Sequence, residues 1–368
     1  MINKVAKLTR INFDSFHNML MSLMPQARAE RLAEIQKLVL YEPFESIFSS
    51  KQVDCLSSHL SAMQLVDLDV HIFSSNRSSA FKLAAAIPTG TIQHLCLLVE
   101  DKGYDWMDLV FSLSSTLHSL HIEHRARPEW RKPLPDFQSP IFSVLELLKV
   151  RCWSHLEGTS PNIPLAIVSA APRLLSLEFD GDASVQLRSL LKQCGSRLQT
   201  LGLSRQAGDA LLQKPSLDLK KHCPHLPMLK LQGEIRPSYV RQILLIFPPM
   251  PGLEVERIDE LNLRDTIEDL QSDCAHLQRL KALHATIIIP VIATPATSTQ
   301  LFPHLKAIAA LMEIQKSGIE IERSIEILQK ICEERKVALV VKRIESDSQW
   351  NLRRLQSLQG FSTAHLRD

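Results

Sequence analysis

Apolar residues recur along this chain in one short pattern: an apolar position, two variable ones, a second apolar, one variable, a third apolar. It occurs at Leu8, Ile11 and Phe13, at Ile35, Leu38 and Leu40, at Leu65, Leu68 and Val70, and at Ile92, Leu95 and Leu97. It continues at Leu117, Leu120 and Ile122, at Leu145, Leu148 and Val150, at Leu174, Leu177 and Phe179, and at Leu198, Leu201 and Leu203. Later copies are Leu226, Leu229 and Leu231, then Leu277, Leu280 and Ala282, and a degenerate Leu305, Ile308 and Ala310. The central residues follow one another roughly 24 to 30 positions apart, the spacing of a repeat array. One gap of 51, between Leu229 and Leu280, hides a further copy. Two candidates fill it: Leu253, Glu256 and Ile258, which keeps the spacing, and Ile258, Leu261 and Leu263, which has the better residues.

The second and third apolar positions alternate like a strand with one buried face. The stretches between copies have helical spacing instead, with apolar residues three and four apart. Examples are Phe81–Ile87, Trp106–Leu113, Val185–Leu191, Val240–Ile246 and Leu263–Leu270. Helix-to-strand junctions resemble one another too: Ala171-Pro-Arg-Leu174, Cys223-Pro-His-Leu226, Cys274-Ala-His-Leu277 and Phe302-Pro-His-Leu305. Proline there stops a helix and favours extended chain before the next strand. A purely helical array would also show leucine periodicity, but it would not alternate within the triplets. The expectation is an α/β leucine-rich-repeat solenoid, a horseshoe with a parallel sheet on its concave face and helices on its convex face. Such a unit cannot bury its apolar faces alone, so stability comes from stacking on neighbours.

This reading gives one irregular domain over residues 1–345, of about twelve units, and a polar tail over 346–368. Arg125–Asp136, Pro161–Pro164 and Thr286–Phe302 read as insertions at unit edges. A helix from Ile319 followed by a strand at Val337–Val341 reads as the closing unit.

Composition narrows the function. The 368 residues are 45% hydrophobic but only 5% aromatic, which suits many thin layers better than one deep core. Net charge is +2, from 42 basic and 40 acidic residues, so there is no basic footprint for nucleic acid. The N-terminus has no apolar run ending in a small-residue cleavage site, and Ala285–Ala293 is too short to span a bilayer. The seven cysteines are scattered, with no CxxC pair. Cys194, Cys223 and Cys274 each stand six or seven residues ahead of a triplet centre (Leu201, Leu229, Leu280), the placement of repeated core thiols. Reduced thiols and no leader point to a cytoplasmic or nuclear protein, expected to be a monomer without membrane contact.

Catalytic chemistry finds little support. No phosphate-binding glycine loop or nucleophile elbow is present, and there are only 11 glycines. His118, His121 and His124 are spaced by three, but strand alternation puts His118 and His121 on opposite faces. No metal or other cofactor is expected. The outward residues of each strand, beside and after the third apolar position, are the candidates for function. They are His121 and Glu123, Lys149 and Arg151, Glu178 and Asp180, Gly202 and Ser204, and Lys230 and Gln232. Neighbouring strands lie about 4.8 Å apart, so these stripes can pair with one another. Two readings stay open: a self-neutralised solvated face, or a mixed-charge patch for a protein partner with Arg151 as its anchor. An enzyme or enzyme subunit with a site near residues 286–302 is the alternative function.

The junction Ala171-Pro-Arg-Leu-Leu-Ser-Leu-Glu-Phe179, repeated loosely along the chain, resembles the repeat region of fungal F-box proteins of the leucine-rich-repeat type. That resemblance implies a scaffold that recruits a substrate protein for a ubiquitin ligase. In that family a separate F-box binds the ligase adaptor. No Leu-Pro-x-Glu-Ile-like F-box opening precedes the first triplet, so adaptor binding would need an F-box outside this chain. The usual asparagine or cysteine after the strand is mostly missing as well (Cys152 falls one residue away), so no asparagine ladder is expected.

Overall fold

The computed structural model describes residues 5–8, 10–40, 50–72, 90–99, 106–124, 140–152, 163–181, 184–213, 218–235, 237–258, 282–286, 306–313 and 319–344. It is an α/β protein in which parallel strands alternate with helices. Backbone contacts divide it into two compact units, Met1–Cys194 and Gly195–Asp368.

In the first unit the described strands are β1 (Val5–Leu8), β2 (Lys37–Leu40), β3 (Asp67–Ile72), β4 (His94–Val99), β5 (Ser119–His124), β6 (Leu147–Cys152) and β7 (Ser176–Asp180). Each pairs in parallel with the next in sequence. Its described helices are α1 (Arg10–Ser22), α2 (Pro25–Ala33), α3 (Ser50–Leu60), α4 (Trp106–Ser112), α5 (Ile163–Ala170) and α6 (Ser184–Cys194). Register is uniform. Leu38, Leu68, Leu95, Leu120, Leu148 and Leu177 stand opposite one another, and so do Leu40, Val70, Leu97, Ile122, Val150 and Phe179. Both columns are buried, as is the column of first apolar positions, Ile35, Leu65, Ile92, Leu117, Leu145 and Leu174. Full burial of one such side chain stabilises by roughly 1.5–3 kcal/mol, so three per strand dominate the packing.

A main-chain motif repeats at the start of five successive ladders, from β2–β3 to β6–β7. One carbonyl accepts two successive N–H groups of the next strand's lead-in. The Gln36 carbonyl accepts from Val66 and Asp67, that of Val66 from Gln93 and His94, and that of Gln93 from His118 and Ser119. The His118 carbonyl accepts from Glu146 and Leu147, and that of Glu146 from Leu175 and Ser176. All ten distances lie between 2.8 and 3.1 Å. Helix ends are equally regular: Ile35 N–H donates to Leu32 O and Leu174 N–H to Ala171 O, just beyond α2 and α5.

In the second unit β8 (Thr200–Ser204), β9 (Met228–Ile235), β10 (Gly252–Ile258), β11 (Ala282–Thr286), β12 (Ala307–Glu313) and β13 (Ala338–Ile344) also pair in parallel in chain order. The described helices are α7 (Arg205–Gln213), α8 (Leu219–His222), α9 (Pro237–Ile246) and α10 (Ile319–Arg335), with a short 3-10 turn at Gly195–Arg197. Leu198, Leu201 and Leu203 and Leu226, Leu229 and Leu231 are buried as expected. Cys194 at the end of the first unit and Cys223 here are buried thiols, whereas Cys274 lies outside the described residues. The bond from Leu226 N–H to Cys223 O repeats the helix-end contact after α8. β9 carries a bulge against β10, with Gly233 at φ +89 and its N–H donating to Glu256 Oε2 at 2.7 Å. The extra residue requires the left-handed conformation that glycine tolerates.

Three triplets depart from expectation. The residues Leu8, Ile11 and Phe13 do not form a strand: β1 ends at Leu8 and α1 begins at Arg10. Leu8 and Ile11 are three apart, a spacing that suits a helix as well, and Val5-Ala-Lys-Leu8 supplies the alternation instead, with Ala6 and Leu8 opposite Leu38 and Leu40. In the hidden copy neither candidate register holds. Leu253 and Val255 stand opposite Leu229 and Leu231, and Met250 completes the buried triplet. β11 is shifted three residues later than expected, with Leu283 and Ala285 in the columns. There Leu280-x-x-Leu283-x-Ala285 satisfies the same pattern. Pro164 is not in an insertion but in the first turn of α5, where a proline costs no helical hydrogen bond. Residues 125–136 and 287–302, and the tail from 346, lie outside the described residues.

Gly208 in α7 marks a close helix contact within the second unit. A Cβ there would overlap the hydroxyl oxygen of Tyr239 from α9 and come within 3.1 Å of Ile243 Cδ1. The Tyr239 hydroxyl donates to Arg205 O at 2.9 Å, so the ring cannot simply swing aside. Gly208→Ala is expected to lower stability by about 1–3 kcal/mol despite alanine's better helix propensity. Denaturant unfolding would read this, and adding Tyr239→Phe should recover part of the loss.

Candidate protein-binding face

Strand alternation sends one set of side chains into the apolar columns and the other set to the opposite face of the sheet. On that face of the first unit, register aligns Asp69, Cys96, His121, Lys149 and Glu178 in one row across β3–β7. A second row holds Glu123, Arg151 and Asp180 across β5–β7. The six residues expected here therefore do come together, and all but His121 pair with one another. Lys149 Nζ lies 3.1 Å from Glu178 Oε2. Arg151 reaches both ways, its Nε 2.9 Å from Asp180 Oδ2 and its Nη1 3.8 Å from Glu123 Oε2. One guanidinium thus ties three strands, the fork geometry that lysine cannot supply.

Exposure sorts these residues. The Arg151 side chain is 40% exposed, whereas that of Glu178 is only 6% exposed. Glu178 was expected to be an outward contact residue. It is instead buried, and the Lys149 ammonium 3.1 Å away neutralises its carboxylate. Ser204, also expected outside, is buried: its Oγ accepts from Ala207 N–H at 3.2 Å and caps α7, which starts at the very next residue.

His121 and Cys96 sit side by side, with Sγ 3.4 Å from Nδ1. A working thiol–imidazole dyad needs a thiolate and an imidazolium. Both groups are pushed the other way. Burial raises the Cys96 thiol to about 12, helped by the adjacent Asp69 carboxylate, and burial with the neighbouring Lys149 charge lowers His121 to about 4. Both shifts favour the neutral thiol and the neutral imidazole over the ion pair such a dyad needs. His121 Nε2 is buried with no hydrogen-bond partner among the described residues. Among the described residues, no group of three or more His, Cys, Asp or Glu is placed to hold a metal ion.

In the second unit Lys230 was expected to be an outward residue. Its Nζ lies 3.1 Å from Glu254 Oε2, directly opposite on β10. Glu254 escaped the sequence reading because the register of β10 was unresolved; with Leu253 and Val255 in the columns, it occupies the same place between them as Lys230 does on β9. Asp69 and Cys96 were not among the expected residues, although they stand at the same position between the second and third apolar residues of their strands.

Compared with models of known protein families and with curated protein sequences, the chain matches none. No described helix is long and apolar enough to cross a membrane.

Two outcomes follow from this geometry. Lys149→Met should remove a cation from beside the buried Glu178 carboxylate and cost about 3 kcal/mol, whereas Lys149→Met with Glu178→Leu should restore most of it. A denaturant-unfolding double-mutant cycle measures this, and simple additivity would contradict it. His121 is depressed from 6.5 to about 4, so its contribution to stability is complete above about pH 6.5 and is lost as pH falls towards 4. Melting temperatures between pH 7.5 and 4.5 should show a smaller acid loss for His121→Phe than for the wild type.

Proposed function

We propose that this chain is an irregular leucine-rich-repeat solenoid that binds a protein partner through the outward face of its parallel sheet. In this reading the sheet lines the concave side and the helices the convex side. The observation that carries it is the ordered charge pattern on β5–β7. Arg151, the most exposed of the paired charges, is held between Glu123 and Asp180 in a fixed orientation. A preorganised guanidinium loses little side-chain entropy on binding, and arginine is enriched where binding energy concentrates. The neutral thiol of Cys96 beside the neutral imidazole of His121 supports a binding surface over a catalytic one.

By its resemblance to F-box repeat proteins, the bound partner would be a substrate delivered for ubiquitination. The adaptor would be engaged by an F-box supplied from outside this chain. The protein would act as a monomer in the cytoplasm or nucleus.

The test is affinity capture with the full chain, read by quantitative mass spectrometry, against a variant carrying Lys149→Glu and Arg151→Glu. A specific partner should be retained by the wild type and lost at least tenfold by the variant, with melting curves confirming that the variant is folded. A partner captured equally by both proteins would remove the sheet face as the binding site.

A further inference from the structure

The first unit contains a second polar contact that the sheet face does not use. His17, midway along α1, and His59, in the last turn of α3, meet with Nδ1 and Nε2 only 3.1 Å apart and ring centroids 5.4 Å apart. One turn earlier on α1, Asp14 accepts from Gln52 Nε2 of α3 at 3.1 Å. These two contacts stitch the helices together across 42 and 38 residues of chain. His59 is almost fully buried, beside the buried Leu56 and Leu60 of its own helix, and Leu20 of α1 is buried too.

We propose that the His17–His59 contact is a proton-operated latch that closes α1 onto α3 at neutral pH and releases it on acidification. The contact needs at least one bare ring nitrogen, because two imidazolium rings both donate and neither accepts. Full protonation would therefore replace a hydrogen bond by two cations at contact distance. Both charged groups that act on His59 from the packed helices are basic, His17 from α1 and Arg28 from α2. Arg28 is itself fixed, its Nε and Nη2 donating to the Leu20 and Leu23 carbonyls at the end of α1. The nearby acid on α1, Asp14, is exposed and holds Gln52. The carbonyl end of α3 favours a cation at His59, an effect of about 0.3–1 kcal/mol. Burial, His17 and Arg28 together outweigh it, and the imidazole is held below its usual range. Closure is thus most stable above about pH 6.5 and weakens as pH falls below it, since the open corner takes up protons that the closed one refuses. Opening would uncover Leu20, Leu56 and Leu60 beside Met19, Met21 and Met24, which are exposed already.

Hydrogen–deuterium exchange of the full chain at pH 7.5 and 5.0, corrected for intrinsic exchange, reads the α1 and α3 peptides directly. Their protection should fall on acidification by on the order of tenfold for each pH unit over which open and closed corners differ by one proton. Peptides from β8 and β9 should keep theirs. His59→Gln should abolish the loss, and His17→Gln, at a half-buried and more tolerant position, should at least halve it. Wild-type protection that survives at pH 5.0 would overturn the latch, as would a loss in His17→Gln equal to that of the wild type.

Discussion

In-register parallel pairing of apolar columns is the constraint on which everything else in each unit depends. With Leu38, Leu68, Leu95, Leu120, Leu148 and Leu177 opposite one another, the residues between and after them must also line up. A slip of one residue would turn every leucine outward and every charge inward, at several kcal/mol per strand. The rows of charge on the other face are therefore a by-product of the core register before they are anything else. That is why Lys149 meets Glu178, and Arg151 meets Glu123 and Asp180, without any local signal at those positions.

The charges in turn are not all of one kind. Arg151 with Asp180 and Glu123 is partly solvated, where such pairs contribute about 0–1 kcal/mol each and act mainly to fix orientation. Lys149 with Glu178 is different, because a buried carboxylate makes its partner obligatory. The face combines an exposed, oriented cation with a buried carboxylate held by a half-buried lysine. His121 and Cys96 extend the same row as neutral groups, so the charge ends on β6 and resumes at Asp69 only beyond them.

Much of this was legible in the sequence. The triplets located the strands wherever leucine, isoleucine or valine filled both core positions, and their spacing implied helices between them. Reading failed where two patterns fit the same residues. Leu8 and Ile11 satisfy a helix as well as a strand, and the leucines around 277–283 satisfy the pattern in two registers. The β10 copy was hidden because Met250 follows two prolines and looks like loop. For the face, the sequence showed which charges alternate outward but not their depth. Burial of Glu178 depends on the neighbouring strand's side chain, and Ser204 was diverted to a cap because α7 begins immediately after β8. The His17–His59 contact had no sequence signal at all, being a meeting of two helices 42 residues apart.

The shared carbonyls at the start of the five ladders from β2–β3 to β6–β7 bear on how such a chain can change over time. The residues contributing them, Gln36, Val66, Gln93, His118 and Glu146, have nothing chemically in common. A bond made by the main chain exacts no particular side chain, unlike an asparagine ladder, which ties each repeat to one residue type. Substitutions at those positions leave the joint between repeats intact, and helices and loops between strands can lengthen or shorten without disturbing it. A lineage built this way can keep its architecture while losing the sequence likeness by which its members would be recognised.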